Sequence, residues 1–433
     1  MEPISIAISL FAVLLGIILL GVPIAFALIA TSLGGIYFFL GVDGLAIAAI
    51  TVWDAITPFV LICVPLYLLL GTIFSGSGLA ERLYDGVFKW SARLPGSLAV
   101  ATTVSCGIFS AISGSSVATA AIFSKVSVPS MIKKGYKQSL AAGSVAVGGT
   151  LGILIPPSIP LILYGVIVEE SIGELFIAGV IPGIMLVVMF SIYEVFAALR
   201  DKTMGEKETF SWKEKLQAIR GMIPFVSVMI IVIGSIYGGI ATPTEAAAIS
   251  VVFSLIIAMG IYRSLNLRGL YKAVKDAVAT SAMILFIIVG AMLFGYLLTA
   301  TYIPQTITEH VASLEISRWW ILIMINILLL FLGMFLEVVS IILITAPIIV
   351  PIIIALGWNP IWFGIIMTIN MEMALITPPV GLNLYVIRDA LPQVPFMEIL
   401  KGSLPFIVLL AIQLILVALF QDIALWLPSH MGH

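Results

Sequence analysis

Breaks rich in oxygen, set in otherwise apolar stretches, are the places in this sequence with the chemistry to hold an ion. Ser113, Gly114, Ser115 and Ser116 interrupt one apolar run at its middle, and Gly148, Gly149 and Thr150 with Pro156-Pro157 interrupt the next. Proline lacks the amide proton and clashes with the preceding turn, so two in succession unwind a helix. Carbonyl oxygens freed at such a break, with hydroxyls beside them, form a hard oxygen set suited to Na+. Small residues alone would serve close helix approach. A tip paired with an opposite break favours the ion site. The first cluster is therefore Ser113, Gly114, Ser115, Ser116, Gly148, Gly149, Thr150 and Pro156.

A second cluster repeats the plan with different chemistry. Gly333 and Glu337 stand against a break holding Asn370, Glu372, Thr377, Pro378 and Gly381. Pro129 and Pro351, Gly135 and Gly357, Pro156 and Pro378, and Pro157 and Pro379 all keep one separation, 222 residues (351 − 129). Ser115 and Glu337 keep it too, so the two clusters occupy equivalent places without being chemically alike. Glu337 and Glu372 lie in apolar segments, where an ionisable group is a functional suspect. The competing reading is a carboxylate satisfied by the freed amides of its own hairpin.

The elements that position these clusters are membrane spans. Of 433 residues, 61% are hydrophobic and 10% charged, with a mean hydropathy of +1.23, against about 25% charged in soluble domains. Continuous rather than alternating apolar runs point to helices and exclude an outer-membrane barrel. The N-terminal run lacks a basic flank and a cleavage site, so it reads as a first span. Cys63 and Cys106 sit in apolar runs as buried thiols. No HExxH or GxxxxGK[ST] pattern occurs, which removes zinc hydrolysis and intrinsic ATPase activity. A net charge of −2 without a basic aromatic patch gives no sign of nucleic-acid binding. Nothing supports catalysis.

Taken in order, spans are expected at 4–20, 23–40 and 58–75, with a turn at 41–44. An amphipathic helix at 79–93 carries Leu79, Leu83 and Val87 on one side and Glu81, Arg82, Asp85 and Lys89 on the other, as an interfacial helix does. A re-entrant hairpin at 97–128, a broken helix at 138–168 and a span at 175–199 complete a first half, residues 1–200. Residues 201–220 form a polar linker. The second half, 221–433, contains spans at 222–239, from Pro243, at 280–298 and at 402–425. It adds a hairpin at 318–350, a broken helix at 360–387 and a short helix at 303–314. Thr242-Pro243-Thr244-Glu245 has the spacing of a helix-capping box.

Charge orients this plan. Five spans per half place the second half upside down relative to the first, an inverted repeat. With the N-terminus outside, every one of the 20 Lys and Arg residues except Arg318 falls on the cytoplasmic side, as the positive-inside rule demands. Both termini then face outward, and the two hairpins open to opposite sides.

Six motifs carry a resemblance to a family: SGSSVAT (113–119), GILIPPSIPLILY (152–164), GELFIAGVIPG (173–183), GGIATPTEAAA (238–248), NILLLFLGMFLE (326–337) and ITPPVGLNLYV (376–386). Over almost its whole length the chain resembles the large membrane subunit of tripartite ATP-independent periplasmic (TRAP) transporters. The family often has proline after the glutamate of the second tip, where this chain has Val338. The resemblance implies an all-α, elevator-type secondary transporter of the bacterial cytoplasmic membrane, with both termini periplasmic. In it the hairpins and broken helices move against a scaffold of the other spans. It implies Na+ as the coupling ion, bound where each tip meets its broken helix, and no organic cofactor. A small organic acid, a sialic acid or dicarboxylate for example, would bind between the tips, facing Ser115, Ser116, Pro157, Ser158, Glu337, Pro379 and Asn383. The implied partners, both separate polypeptides, are a small four-helix membrane subunit and a periplasmic substrate-binding protein. A stand-alone sodium/divalent-anion carrier and a passive channel-like subunit are the alternatives.

Overall fold

In hydrocarbon a backbone must satisfy its own amides, and a helix does so within one segment. The computed structural model describes residues 2–201, 208–313 and 316–431, and the described residues form helices and no strand. Residues 202–207 of the expected linker, with Lys202 and Lys207 of the charge count, and Leu314 lie outside this set. So do Met1 and the last two residues.

Eight described helices are long and apolar enough to cross a bilayer: Ile24–Ile56, Phe59–Gly76, Ile172–Arg200, Trp212–Tyr237, Pro243–Ile261, Leu267–Ala300, Val338–Ala355 and Phe396–Leu419. The expected ten differ in two ways. They add the shorter Pro3–Leu19 and the two broken helices, and they leave out Val338–Ala355, which was read as a hairpin limb. At 18 residues that limb is longer than the sequence suggested.

Two expectations need correction. The turn expected at 41–44 is a one-residue kink: Gly41 leaves helical geometry (φ 72°, ψ −161°) between two helical stretches of Ile24–Ile56, and residues 42–44 already belong to the second. Helix Leu79–Ser91 does not rest its apolar stripe on lipid. Leu79, Leu83 and Val87 are buried against Ser97–Ser113 and Trp212–Met229. Gly221 approaches so closely that a Cβ there would come 2.6 Å from the Arg82 carbonyl oxygen. An apolar stripe records burial without saying whether lipid or protein provides it.

The helices sort into two packed groups. Ile24–Ile56 and Leu267–Ala300 lie side by side, with Gly290 against the Ala25 carbonyl and the edge-on ring pair Phe26–Phe286 (5.2 Å), and Pro3–Leu19 meets Leu267–Ala300 through the edge-on pair Phe11–Phe294 (5.6 Å). Cys63–Gly76 joins Leu267–Ala300 through Thr72, which donates to the Ala273 carbonyl at 3.1 Å, and reaches the helix that starts at Pro243 through Tyr67, whose hydroxyl donates to the Pro243 carbonyl at 3.0 Å. The second group holds the hairpins and broken helices together with Ile172–Arg200 and Phe396–Leu419. Trp362 Nε1 donates to the Val417 carbonyl at 2.7 Å, and a Cβ on Gly179 would come 2.5 Å from the Leu154 carbonyl oxygen.

The capping box at Thr242 forms as its spacing predicts. Glu245 N–H donates to Thr242 Oγ1 at 3.3 Å, and Glu245 Oε2 accepts from Thr242 N–H at 2.8 Å. Thr242→Ala is expected to cost about 1 kcal/mol, read as a lower melting temperature of the purified protein. An unchanged melting temperature would refute the capping role.

Candidate functional site

The first tip forms because Gly114 adopts φ +58°, a conformation costly for residues with a Cβ. This ends helix Ser97–Ser113 and lets Ser115 turn the chain back. Ser115 is extended (φ −129°, ψ 115°) and caps helix Ser116–Val126 by accepting from Ala118 N–H at 3.3 Å. Thr119, one turn into that helix, closes the tip. Its Oγ1 donates to the Ser115 carbonyl at 2.9 Å and lies 3.1 Å from Ser113 Oγ.

This tip meets the first broken helix on both sides of its break. A Cβ on Gly149 would stand 3.1 Å from the Ser116 carbonyl oxygen, and one on Gly114 would stand 3.5 Å from the Pro157 carbonyl oxygen. The helix runs as Gln138–Thr150, tightens through Leu151–Ile153, and resumes as Ile159–Val168. Ser158 stitches the break, donating to the Ile153 carbonyl at 2.5 Å and accepting from Leu161 N–H at 3.3 Å. Ser113, Gly114, Ser115, Ser116 and Gly149 thus come together beside Pro156-Pro157. Gly148 instead faces Cys106, and the Thr150 hydroxyl turns back to the Val147 carbonyl at 2.8 Å.

The second tip runs from the end of Arg318–Gly333 through a turn to Glu337, where Val338–Ala355 begins. Gly333 abuts Ala374, whose Cβ would stand 2.5 Å from an added Cβ. Asn370 Nδ2 donates to the Asn326 carbonyl at 2.9 Å and to Asn326 Oδ1 at 3.0 Å, tying the first limb to the broken helix. The break lies between Pro360–Leu375 and Leu382–Ala390. No hydroxyl stitches it: Gly381, at φ +58°, makes no side-chain cap, and Thr377 Oγ1 donates back to the Met373 carbonyl at 2.6 Å. Both Pro156-Pro157 and Pro378-Pro379 are cis. Glu337 makes no capping bond, and Glu372 is fully buried with neither carboxylate oxygen hydrogen-bonded.

The two tips face one cavity of about 110 Å³. Gly114, Ser115 and Ser116 line it from one side, Glu337 and Val338 from the other, with Thr280 and Leu68 from the neighbouring group of helices. Pro157, Ser158, Pro379 and Asn383 lie outside its lining. Asn383 is instead a buried clasp between the halves. Its Oδ1 accepts from the Ser116 hydroxyl at 3.0 Å, and its Nδ2 donates to Ser116 Oγ at 2.8 Å and to the Ala146 carbonyl at 3.1 Å.

Among the described residues no three His, Cys, Asp or Glu side chains group to hold a metal. The tips offer hydroxyl and carbonyl oxygens instead, a donor set suited to a hard monovalent ion. Sequence reasoning passed over Thr119 and Glu194. Glu194 is fully buried in Ile172–Arg200 and accepts from Thr103 Oγ1 at 2.6 Å. The rule that flagged Glu337 and Glu372 would have flagged it as well.

Residues 11–423 match the family model of the tripartite ATP-independent periplasmic transporter, DctM component. The chain belongs to this family. It is a TRAP transporter large permease, a multi-pass membrane protein of a bacterial transporter family. The C4-dicarboxylate TRAP transporter large permease protein DctM of Pseudomonas aeruginosa is 39% identical over 90% of this chain and 91% of its own length. The sialic acid TRAP transporter large permease protein SiaM of Vibrio cholerae is 32% identical over 96% of each chain. Among solved structures, the TRAP permease is similar to MtrF of Neisseria gonorrhoeae. The TM-score is 0.61 over 100% of this chain and 96% of that one, at 16% identity. That likeness concerns the fold alone.

Proposed function

We propose that this TRAP permease is the carrier of a Na+-coupled uptake system for a small organic acid in the bacterial cytoplasmic membrane. The observation that carries the proposal is the single cavity faced by both tips, each tip seated on its own broken helix. In this reading residues 1–200 and 221–433 are inverted repeats joined by 201–220, with both termini periplasmic. Na+ binds among the oxygens of Ser113–Ser116, Gly148, Gly149, Thr150 and Pro156, and again near Gly333, Glu337, Asn370, Glu372, Thr377, Pro378 and Gly381. The acid binds between the tips, as a dicarboxylate or sialic acid, the substrate types named for the relatives. A four-helix membrane subunit and a periplasmic binding protein complete the system.

The moving body of such an elevator includes Ile172–Arg200 and Phe396–Leu419, whose backbones lie against the broken helices at Gly179 and Gly402. Leu267–Ala300 and Ile24–Ile56 form the static side. Coupling to Na+ suits an anionic cargo: each net charge moved is worth about 2.3 kcal/mol per 100 mV.

Reconstitution with candidate partners tests this. Uptake should require an inward Na+ gradient and the binding protein. Ser115→Ala and Thr377→Ala should each raise the half-saturating Na+ concentration roughly ten-fold, the loss of one oxygen contact. Unchanged sodium dependence in both variants would remove the ion assignment, and uptake of free acid without the binding protein would remove that partner.

A further inference from the structure

A pocket of about 510 Å³ shares no lining residue with the cavity between the tips and lies where the ends of three helices meet. Lys137 precedes helix Gln138–Thr150, Arg200 ends Ile172–Arg200, and Lys401 lies in the second turn of Phe396–Leu419. These three cations and one carboxylate, Asp201, are the charged groups of the lining.

We propose that this pocket binds the phosphodiester headgroup of an anionic phospholipid. Lys137 pairs with Asp201 at 2.9 Å, and Lys401 approaches Glu398, outside the lining, at 3.6 Å. Arg200 has no ion pair among the described residues; its guanidinium lies 4.6 Å from the Phe196 ring. An arginine held by an aromatic ring, with its fork of donors unpaired, suits bidentate contact with phosphate oxygens. The pocket also includes Ser139 and Leu140, in the first turn of a helix whose N-cap makes no side-chain bond, so free amides add to the positive field.

A lipid fits better than a soluble anion because the adjoining surface is apolar. Phe196, Leu199 and Leu404, beside the cations on the same helices, are 50%, 61% and 50% exposed. They offer acyl chains an exposed apolar surface on the helices that carry the cations. Clusters of Lys and Arg at the ends of spans recognise such headgroups. The headgroup would bridge three helices, two of which cross at Gly143 and Gly402. The proposal does not rest on sodium coupling or on the substrate.

The test uses the full chain purified in detergent, titrated with phosphatidylglycerol or phosphatidylcholine and read by native mass spectrometry. Phosphatidylglycerol should be retained and phosphatidylcholine should not. Arg200→Gln/Lys401→Gln should weaken retention roughly ten- to thirty-fold, about one basic contact per substitution. Arg268→Gln, exposed and elsewhere, should not change it. Gel filtration and melting temperature confirm that the double variant is folded; if it is not, Arg200→Gln alone is read in the same way, against a three- to five-fold expectation. Equal retention by wild type and variant would overturn the proposal. So would full competition by millimolar inorganic phosphate, since the pocket would then hold a soluble anion rather than a lipid.

Discussion

Gly402→Ala is expected to leave almost no folded permease in the membrane. A Cβ at this position would stand 1.8 Å from the Ser139 carbonyl oxygen and 2.6 Å from its carbon, backbone atoms with no rotamer to escape into. The partner position is scarcely looser: a Cβ on Gly143 would come 2.3 Å from the Gly402 carbonyl oxygen. The helices Gln138–Thr150 and Phe396–Leu419 therefore cross in backbone contact, and a methyl group forces them apart along the whole crossing. Small residues permit such approach in membranes, where packing rather than hydrophobic transfer drives helix association. Separating them should cost about 4 kcal/mol or more, in the range reserved for disrupted cores. Gly34→Ala is the matched control, because an added Cβ there meets nothing within 4 Å. It should change stability by less than about 0.5 kcal/mol. Expression level and melting temperature read both. A Gly402→Ala protein as stable as Gly34→Ala would show that the crossing can relax, and would weaken the assignment of Phe396–Leu419 to the moving body.

What could be read from the sequence was what covalent chemistry makes local. Pro156-Pro157 and Pro378-Pro379 mark helix breaks because proline acts on its own turn. Thr242 and Glu245 announce a cap by a three-residue spacing, and the cap forms. Gly114 marks a tip by lacking a Cβ. Partners distant in sequence were not legible. Glu194 sits in a span whose hydropathy hides it, and its hydrogen-bond partner Thr103 is 91 residues away. The apolar stripe of Leu79–Ser91 had the right period, but period cannot separate a lipid face from a protein face. Thr150 and Thr377 stand beside the two breaks, and in both the hydroxyl donates back to its own helix, a bond that leaves the oxygen's lone pairs available. Asn383 holds the Ser116 hydroxyl. Nothing in its neighbourhood reveals a hydroxyl 267 residues earlier.

That contact sets the second large effect. Asn383→Leu should lose most uptake and about 2–4 kcal/mol of stability, because it strips partners from two buried groups, the Ser116 hydroxyl and the Ala146 carbonyl. Both Asn383 and Ser116 are almost wholly excluded from solvent, so water cannot readily replace the lost bonds. The consequence reaches beyond stability. Ser116 belongs to the tip of the first hairpin, Ala146 to the first broken helix and Asn383 to the second. One side chain therefore ties the first tip and the first broken helix to the second broken helix, joining clusters that are chemically unlike at Ser115 and Glu337. A double-mutant cycle with Ser116→Ala measures the link. If the clasp is real, the Asn383→Leu/Ser116→Ala protein loses less stability than the two single changes added together, with a coupling of about 1–2 kcal/mol. Additive losses would mean that Asn383 fills space rather than joins the halves. A variant that keeps its stability yet loses sodium dependence would place the coupling between the two ion clusters in this bond itself.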